Sequence, residues 1–425
     1  MHELRRSLSH PRTMALLDQC VVSCCNFLTM LFIGRWLPAQ EFGLFSLAML
    51  IVLFLSNLHR AILTQPLNVL GAKEAESELL TRFWALLRAH VVVLPVAIAV
   101  LICLSFSFFP RMDLAIGAAC YLVCFLLQET VRRYWYTNGR IDRALISDLV
   151  SYGGQAVVLV AFELIVKVEC DSAFVILALT SLAGFVVGLF GIKRVHTLDR
   201  STIRTVAAQH WTLSRWLLLT VLALWGSSQM YPFLIVNLGP VAIASFSVSR
   251  NLLNVMGIVV QSVVNYLPTR AAALLSQEGE LAFRRHIMKT LAQSVVASAV
   301  FVLGMQILAE PILHALYGGA YDAAAPLLRV LSLGMVFSLL GAVLGSYALA
   351  MHDSRSTFLS NFGSAVFTFT GGLWLIHLYG VYGAAIAACL SLAVAAVLQT
   401  FFVMGALNRL AEQELEMRET CRIEV

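Results

Sequence analysis

A stripe of polar side chains along residues 241–266 is the part of this sequence with the clearest capacity for chemistry. At about 100° per residue, these side chains fall within about 80° of one helix face. The stripe consists of Ser247, Arg250, Asn254, Gly257, Gln261 and Asn265. Arg250 lies about 14 Å from the predicted outer end of the helix, close to the middle of a bilayer. Because polar groups are costly inside a bilayer, the stripe indicates a water-filled cavity or, alternatively, an arginine paired with a carboxylate in a dry helix contact.

The cavity interpretation specifies a ligand, because a guanidinium group is always charged and binds phosphate through two parallel hydrogen bonds. A cationic cavity therefore suits an anionic headgroup such as a pyrophosphate. Other predicted helices carry shorter polar faces. Together with the stripe, they give the predicted substrate-binding residues Arg250, Asn254, Gln261, Asn265, Arg60, Arg215, Gln229, Gln155 and Asn26. Arg60 and Arg215 lie at helix ends, where snorkelling to the cytoplasmic headgroups explains them equally well.

Carboxylates inside predicted helices are candidates for binding a coupled proton or sodium ion, although helix capping and local pairing explain them equally well. These candidates are Asp18, Asp148 and Glu163. Glu129 is followed by Arg132 and Arg133 at the i+3 and i+4 positions, a spacing that predicts a local ion pair. No phosphate-binding loop pattern is present, which argues against direct use of ATP. Cysteine pairs at i,i+4 spacing lack neighbouring histidines or carboxylates, so we predict no metal site and no cofactor.

The composition places these residues in a membrane. Hydrophobic residues make up 60 % of the 425-residue chain and charged residues 12 %, whereas an average soluble domain carries about 25 % charged residues. We therefore predict an all-α integral membrane protein. A net charge of +5 could indicate a nucleic-acid partner, but the placement of the basic residues is explained by membrane topology, and no nucleic acid is expected.

Apolar runs long enough to cross a bilayer, about 20 residues each, predict about twelve transmembrane helices. They are residues 14–35, 42–62, 88–109, 114–135, 144–166, 173–193, 213–237, 241–266, 288–309, 326–350, 357–377 and 381–405. Of the 29 Lys and Arg residues, Arg35, Arg111 and Lys167 are the ones placed on the far side, and Arg250 and Arg329 lie within spans. The basic side is cytoplasmic. We therefore predict a multi-pass protein of the inner (plasma) membrane with both termini in the cytoplasm and Cys170 in a short outer loop.

The two halves of the chain resemble each other. Segment 42–47 opens the second span and the similar segment 243–248 opens the eighth. Polar positions in the fifth span also correspond to polar positions in the eleventh. Six helices per half preserve orientation, so the repeat is parallel. The sequence thus predicts an N-terminal six-helix lobe (1–193), a cytoplasmic linker (194–212), a C-terminal six-helix lobe (213–405) and a cytoplasmic amphipathic tail (406–425).

Several segments resemble one membrane protein family. Segments 16–19 and 35–46 are similar to the opening of the Wzx-type polysaccharide and O-antigen flippases. Segment 316–331 resembles the signature before that family's tenth helix, and segment 379–387 the entry to its twelfth. These matches are structural signatures, and none is a binding-residue motif. Lipid II flippases of the same superfamily carry two further helices, which makes a peptidoglycan precursor a less suitable cargo here.

The resemblance implies the fold of the multidrug/oligosaccharidyl-lipid/polysaccharide flippase superfamily. In that fold two parallel six-helix lobes form a V around a central cavity and work by alternating access. It also implies a polyprenyl-pyrophosphate-linked oligosaccharide as substrate, moved from the cytoplasmic to the outer leaflet. Expected partners are membrane lipids and the polymerase and glycosyltransferases that act on the same glycan.

Two alternatives remain at this point. One is a cation-coupled multidrug exporter of the same fold, whose cavity would favour carboxylates and aromatic groups. The other is a membrane-embedded polymerase or ligase, which would need a sizeable outer loop. Residues 310–325 offer only Glu310, His314 and Asp322 for such chemistry. We therefore expect a transporter and not an enzyme.

Overall fold

The structure is a computed structural model that describes residues 11–195 and 198–423, and every regular element in these ranges is helical. The chain divides into two compact units, Met1–Val221 and Leu222–Val425. In the first unit, long apolar helices are joined by short turns. They are α1 (Pro11–Trp36), α2 (Ala39–Gly71), α3 (Glu76–Phe108), α4 (Met112–Thr137), α5 (Ile141–Ile165) and α6 (Cys170–Leu189), followed by most of α7 (Arg200–Ser228).

The second unit begins in α7 and continues through a short helix, α8 (Tyr231–Leu234), and a 3₁₀ turn, Val236–Leu238. Its long helices are α9 (Pro240–Tyr317), α10 (Ala325–Ala350), α11 (Ser354–Phe367) and α12 (Leu373–Ile423). Two of them are broken at a glycine: α9 at Gly279, with φ 77° and ψ −177°, and α12 at Gly380, with φ 58°. Residues with a Cβ rarely adopt these angles. Each break therefore divides one long helix into two arms.

Nine helices in the described part of the chain are long and apolar enough to cross a membrane, so the chain is a multi-pass membrane protein. Pro240–Tyr317 and Arg355–Arg409 each contain a glycine break and each hold two of the predicted spans. Eleven of the twelve predicted spans fall in these nine helices, although some helices extend well beyond the span, as Glu76–Phe108 does for the predicted span 88–109.

The predicted span 213–237 is wrong in its bounds. Helix α7 starts at Arg200, inside the predicted linker, and ends at Ser228. The chain then begins a new helix at Tyr231, with Pro232 in its first turn. Proline has no backbone N–H and is favoured in the first turn of a helix. Pro232 therefore fits the start of a new helix at Tyr231 better than a continuation of α7 to residue 237.

The chain contains three π-turns among the described residues, in which each backbone hydrogen bond spans one residue more than in an α-helix. These turns are Arg60–Thr64 in α2, Leu149–Gly153 in α5, and Thr368–Gly372 between α11 and α12. The last two fall in the fifth and eleventh predicted spans, which the sequence pairs as repeats. π-Turns are frequent at functional sites, and Arg60 and Asp148 lie at or beside one.

Candidate functional site

Arg250 is half-buried on the first arm of α9, residues 240–278. Its Nη2 donates a hydrogen bond of 2.6 Å to Oε1 of Gln229, which follows the end of α7. None of the ion pairs found among the described residues involves Arg250. Two predicted site residues are thus in contact. The sequence raised the alternative that Arg250 pairs with a carboxylate in a dry helix contact. Among the described residues, no carboxylate pairs with Arg250.

The remainder of the polar stripe is exposed. Asn254, Gln261 and Asn265 all present their side chains on the surface of the arm. Gln261 Nε2 donates to Asn265 Oδ1 at 3.0 Å. A Cβ placed on Gly257 would meet no atom within 4 Å, so this face is uncovered. The stripe therefore offers amide donors and acceptors along one open side of the helix.

In the first unit, Arg132 of α4 is the centre of a buried charge network. Its Nε donates to Asp148 Oδ2 at 2.5 Å, its Nη2 to Asp18 Oδ2 at 2.9 Å, and its Nη1 to Glu129 Oε2 at 3.4 Å. Arg133 Nε also donates to Glu129, at 2.6 Å. The predicted local ion pairs of Glu129 are therefore confirmed. Sequence spacing missed that the same guanidinium joins α1 and α5 to α4.

Two buried acceptor atoms of this network have no hydrogen-bond partner among the residues that the structure describes. They are Asp18 Oδ1 and Gln128 Oε1, although Asp18 Oδ2 also accepts from the hydroxyl of Tyr136. Gln128 Nε2 donates to Asp148 Oδ1 at 2.7 Å. Two fully buried carboxylates and an open amide oxygen thus lie around one guanidinium. Such a set can accept a proton or a small cation.

The other predicted residues lie outside this network. Glu163 Oε2 accepts from the backbone N–H of Val168 at 2.7 Å, so it joins the end of α5 to the turn that follows. Gln155 is buried, and its Nε2 lies 3.5 Å from Ser181 Oγ of α6. Asp148 and Gln155 flank the π-turn in α5, which changes the faces predicted for a regular helix. Asn26 is exposed on α1.

Arg60 and Arg215 have exposed side chains near one contact between α2 and α7. Ser214 Oγ donates to the carbonyl oxygen of Ile62 at 3.0 Å, which places both arginines within about one helical turn of that contact. The guanidinium of Arg215 lies 5.6 Å from the ring centre of Trp216. Neither arginine has an ion-pair partner in the described part of the chain, a geometry that fits both cavity lining and snorkelling.

A buried histidine pair was not predicted from the sequence. His59 Nε2 and His90 Nε2 are 3.0 Å apart, and His90 Nδ1–H donates to the carbonyl oxygen of Leu86 at 2.8 Å. Thr130 Oγ1 lies 3.2 Å from His90 Nε2. The sequence indicates this pair only through one histidine in each of two apolar runs. A histidine in such a run is more often a core residue whose hydrogen bonds are all made.

Comparisons with known proteins identify the fold. No protein family and no curated protein matches the sequence. An inward-facing MATE multidrug transporter of the MOP superfamily superposes with a TM-score of 0.74 at 12 % identity, over 92 % of this chain and 96 % of that one. The lipid II flippase MurJ gives 0.71 at 11 % identity, over 96 % and 92 %. A MOP superfamily transporter from Pyrococcus furiosus gives 0.63 at 12 % identity, over 95 % and 97 %.

These similarities are at the level of fold. They confirm the predicted all-α architecture, because the chain has the fold of MOP superfamily transporters over nearly its whole length. The similar structures include both multidrug transporters and a lipid flippase, so the fold leaves the cargo open.

Proposed function

We propose that this chain is a flippase that moves a polyprenyl-pyrophosphate-linked oligosaccharide from the cytoplasmic to the outer leaflet by alternating access. The observation that supports it is the environment of Arg250. This residue lies deep in the span and is half-buried, and its hydrogen-bond partner is the neutral amide of Gln229. A guanidinium without a carboxylate partner keeps its charge available for an anion. A pyrophosphate supplies that anion.

The polar stripe would take the sugars. A sugar chain cannot cross hydrocarbon because each hydroxyl group would lose its hydrogen bonds to water. Asn254, Gln261 and Asn265 lie about 6, 16 and 22 Å further along the helix from Arg250. Their exposed amides can replace water for the hydroxyl groups of a headgroup while the lipid tail stays in the bilayer. Gln229 accepts a hydrogen bond from one end of the Arg250 guanidinium. The remaining N–H groups of Arg250 are left to donate to phosphate oxygens.

Asp18 and Asp148 are the proposed site for a coupled proton or sodium ion. Both are fully buried beside Arg132, and Asp18 Oδ1 has no hydrogen-bond partner in the described part of the chain. Binding a proton or cation there would alter the charge balance that joins α1, α4 and α5. Glu163 accepts from the backbone of the turn after α5, so the proposal places the coupling ion on the two aspartates.

The charge distribution also supports the proposed topology, with both termini in the cytoplasm and the protein in the inner (plasma) membrane. In that orientation the first arm of α9 begins at the outer side with Pro240. The glycosyltransferases that build the glycan and a polymerase that extends it would then act at opposite membrane faces.

The competing functions have less support from the side chains. A cationic drug needs carboxylates that it can reach, whereas Asp18, Asp148 and Glu129 are buried beside arginines, where only a proton or a small ion fits. A polymerase needs a catalytic outer segment. His314 Nδ1 and Asp322 Oδ2 are 2.9 Å apart at the surface, and Glu310 lies 4.0 Å from Arg329. The contact between His314 and Asp322 joins the two ends of the short loop between α9 and α10.

Deletion of the gene tests the proposal. In cells without the protein, export of one surface or secreted glycan should stop, and its lipid-linked repeat units should accumulate in the inner leaflet. Complementation with the wild-type chain should restore export, and complementation with the Arg250→Ala variant should not. If the repeat units reach the outer leaflet in the deletion strain and only their polymerisation fails, the chain is an enzyme of assembly instead.

A further inference from the structure

Three short connectors of the first unit meet around one cavity that the proposed function does not use. They are the α1–α2, α3–α4 and α5–α6 turns, all on the predicted outer side. The cavity has a volume of about 520 Å³, within the range of small-molecule sites. Its wall includes Trp36, Glu41, Arg111, Glu163, Lys167 and Asp171. It therefore combines one aromatic surface with charged groups of both signs.

Trp36 forms the aromatic part of the wall. Its ring stacks on Phe32 with ring centres 5.1 Å apart and an angle of 16° between the planes. One face of the indole is thus covered and its orientation is fixed, while the half-buried side chain still lines the cavity. A fixed indole presents a rigid apolar surface at low entropic cost. The C–H face of a sugar ring is a suitable partner for such a surface.

Arg111 is already paired within the wall. Its Nη1 lies 3.0 Å from both carboxylate oxygens of Glu41, it also pairs with Asp113, and Asp171 lies 3.9 Å away. The hydrogen bond to Asp113 is the main cause of a raised pKa for Arg111, and Glu41 raises this pKa further. This guanidinium therefore joins the connectors to one another and contributes little free charge to a ligand.

Lys167 supplies the available cation. It is exposed, it has no ion-pair partner in the part of the chain that the structure describes, and its backbone is left-handed with φ 73°. Glycine would adopt this backbone without strain. The exposed parts of Glu41 and Asp171 supply acceptors. The carboxylates outnumber the basic groups in the wall and would repel an anionic ligand. Lys167 and Arg111 would repel a cationic one. A hydroxyl group both donates and accepts, so it can bond to either kind of neighbour.

We propose that this cavity binds an uncharged saccharide of one or two rings, stacked on Trp36 and hydrogen-bonded by Lys167, Glu41 and Asp171. The inference deepens the proposed function and rests on it for the source of the sugar. The glycan end of the cargo would bind here once it has reached the outer side. A free oligosaccharide has the same chemistry and is the other possible source.

Binding can be measured on the full-length protein in lipid nanodiscs by saturation-transfer NMR. The probes are maltose, lactose and cellobiose, with glucuronate as an anionic control and choline as a cationic control. We expect the neutral disaccharides to bind in preference to both controls. Trp36→Ala should weaken binding about tenfold, the equivalent of one lost ring contact.

Lys167→Gly is the second variant, chosen because it separates binding from folding. Loss of one hydrogen bond from the ammonium group should weaken binding about fivefold. The thermal midpoint should stay the same or rise, because glycine accepts the left-handed backbone. Trp374→Ala is the matched control, because this exposed tryptophan is not part of the cavity wall, and it should bind the free sugars as the wild type does.

The proposal is overturned if the wild type binds none of the neutral sugars, if it prefers glucuronate or choline, or if both variants bind like the wild type. These outcomes are independent of the flippase proposal, because the probes carry no lipid. A purified wild type that binds free disaccharide but not lipid-linked repeat units would assign the cavity to free oligosaccharide. A gene deletion that leaves flipping intact would refute the flippase function and leave the sugar-binding result unchanged.

Discussion

Replacement of Arg250 by alanine should abolish transport while the protein still accumulates in the membrane. A guanidinium that binds a phosphate through two charge-assisted hydrogen bonds contributes about 1.5–3 kcal/mol for each bond. Loss of both bonds removes about 3–6 kcal/mol, and a change of about 1.4 kcal/mol corresponds to a factor of ten. Headgroup affinity should therefore fall by about two to four orders of magnitude. Stability should change less, because the folded protein loses one hydrogen bond from the guanidinium, to Gln229, of about 1.5–3 kcal/mol, and no longer keeps a half-buried charge from water.

Transport can be followed as the exposure of lipid-linked sugar on the outer leaflet of spheroplasts, by lectin binding, with protein abundance measured on the same membranes. Arg250→Lys keeps the charge but lacks the planar fork, so we expect partial activity. Gln229→Glu would place a carboxylate where Oε1 now lies, 2.6 Å from the guanidinium. This carboxylate would compete with the phosphate, so we expect low transport at normal abundance.

Arg132→Ala is the contrasting control. It would leave Asp18, Asp148 and Glu129 buried without their shared cation, and loss of one partner from a buried ion pair costs about 3–5 kcal/mol. The abundance of this variant should therefore fall sharply. Wild-type transport by Arg250→Ala would refute the headgroup role. If the abundance of the Arg250→Ala variant in the membrane falls as far as that of Arg132→Ala, Arg250 is instead a structural residue.

The remaining predictions concern topology, the stripe and the break in α9. In a cysteine-free background, an impermeant thiol reagent applied to intact cells should label Gln40→Cys and not Ser201→Cys, and the reverse result would invert the topology. Native Cys170, expected from sequence to be in an outer loop, is buried at the start of α6, and should label only after unfolding. Gln261→Ala should reduce transport mildly at unchanged abundance, since its exposed side chain bonds only to Asn265; a sharp loss of abundance would indicate a packing role. Gly279→Ala should destabilise the protein by about 1–3 kcal/mol, seen as a lower thermal midpoint, because no atom lies near a Cβ there and the effect comes from φ alone.

Most of the fold could be predicted because apolar length and charge asymmetry report directly on membrane spans. The errors fall where polar sequence remains helical. Residues 267–287 were expected to form a connector, yet they are helical on both sides of Gly279. Pairs such as Glu280 and Arg284, 2.5 Å apart, stabilise such a helix outside the apolar region. A hydropathy pattern does not contain that contribution.

The site was predictable only in part. Helical periodicity placed Arg250, Asn254, Gln261 and Asn265 on one face, and that face is open. Gln229, the hydrogen-bond partner of Arg250, lies 21 residues earlier in the chain, and a helix break separates the two residues. No single helical periodicity therefore relates them. The hydrogen-bond partners of Arg132 are 3, 16 and 114 residues away. Spacing rules detect the first and cannot detect the other two, which depend on how α1, α4 and α5 pack.

The salt bridge between Asp18 and Arg132 has a consequence for biosynthesis. Asp18 is the eighth residue of the 26-residue α1, nearer the predicted cytoplasmic end than the centre, so its insertion costs less than the roughly 2.5–3.5 kcal/mol of a carboxylate at a helix centre. The cation that neutralises it is 114 residues downstream. During translation, α1 can therefore insert with Asp18 close to the cytoplasmic headgroups or with a proton on its carboxylate. The buried ion pair forms only after the fourth helix of this unit has been made.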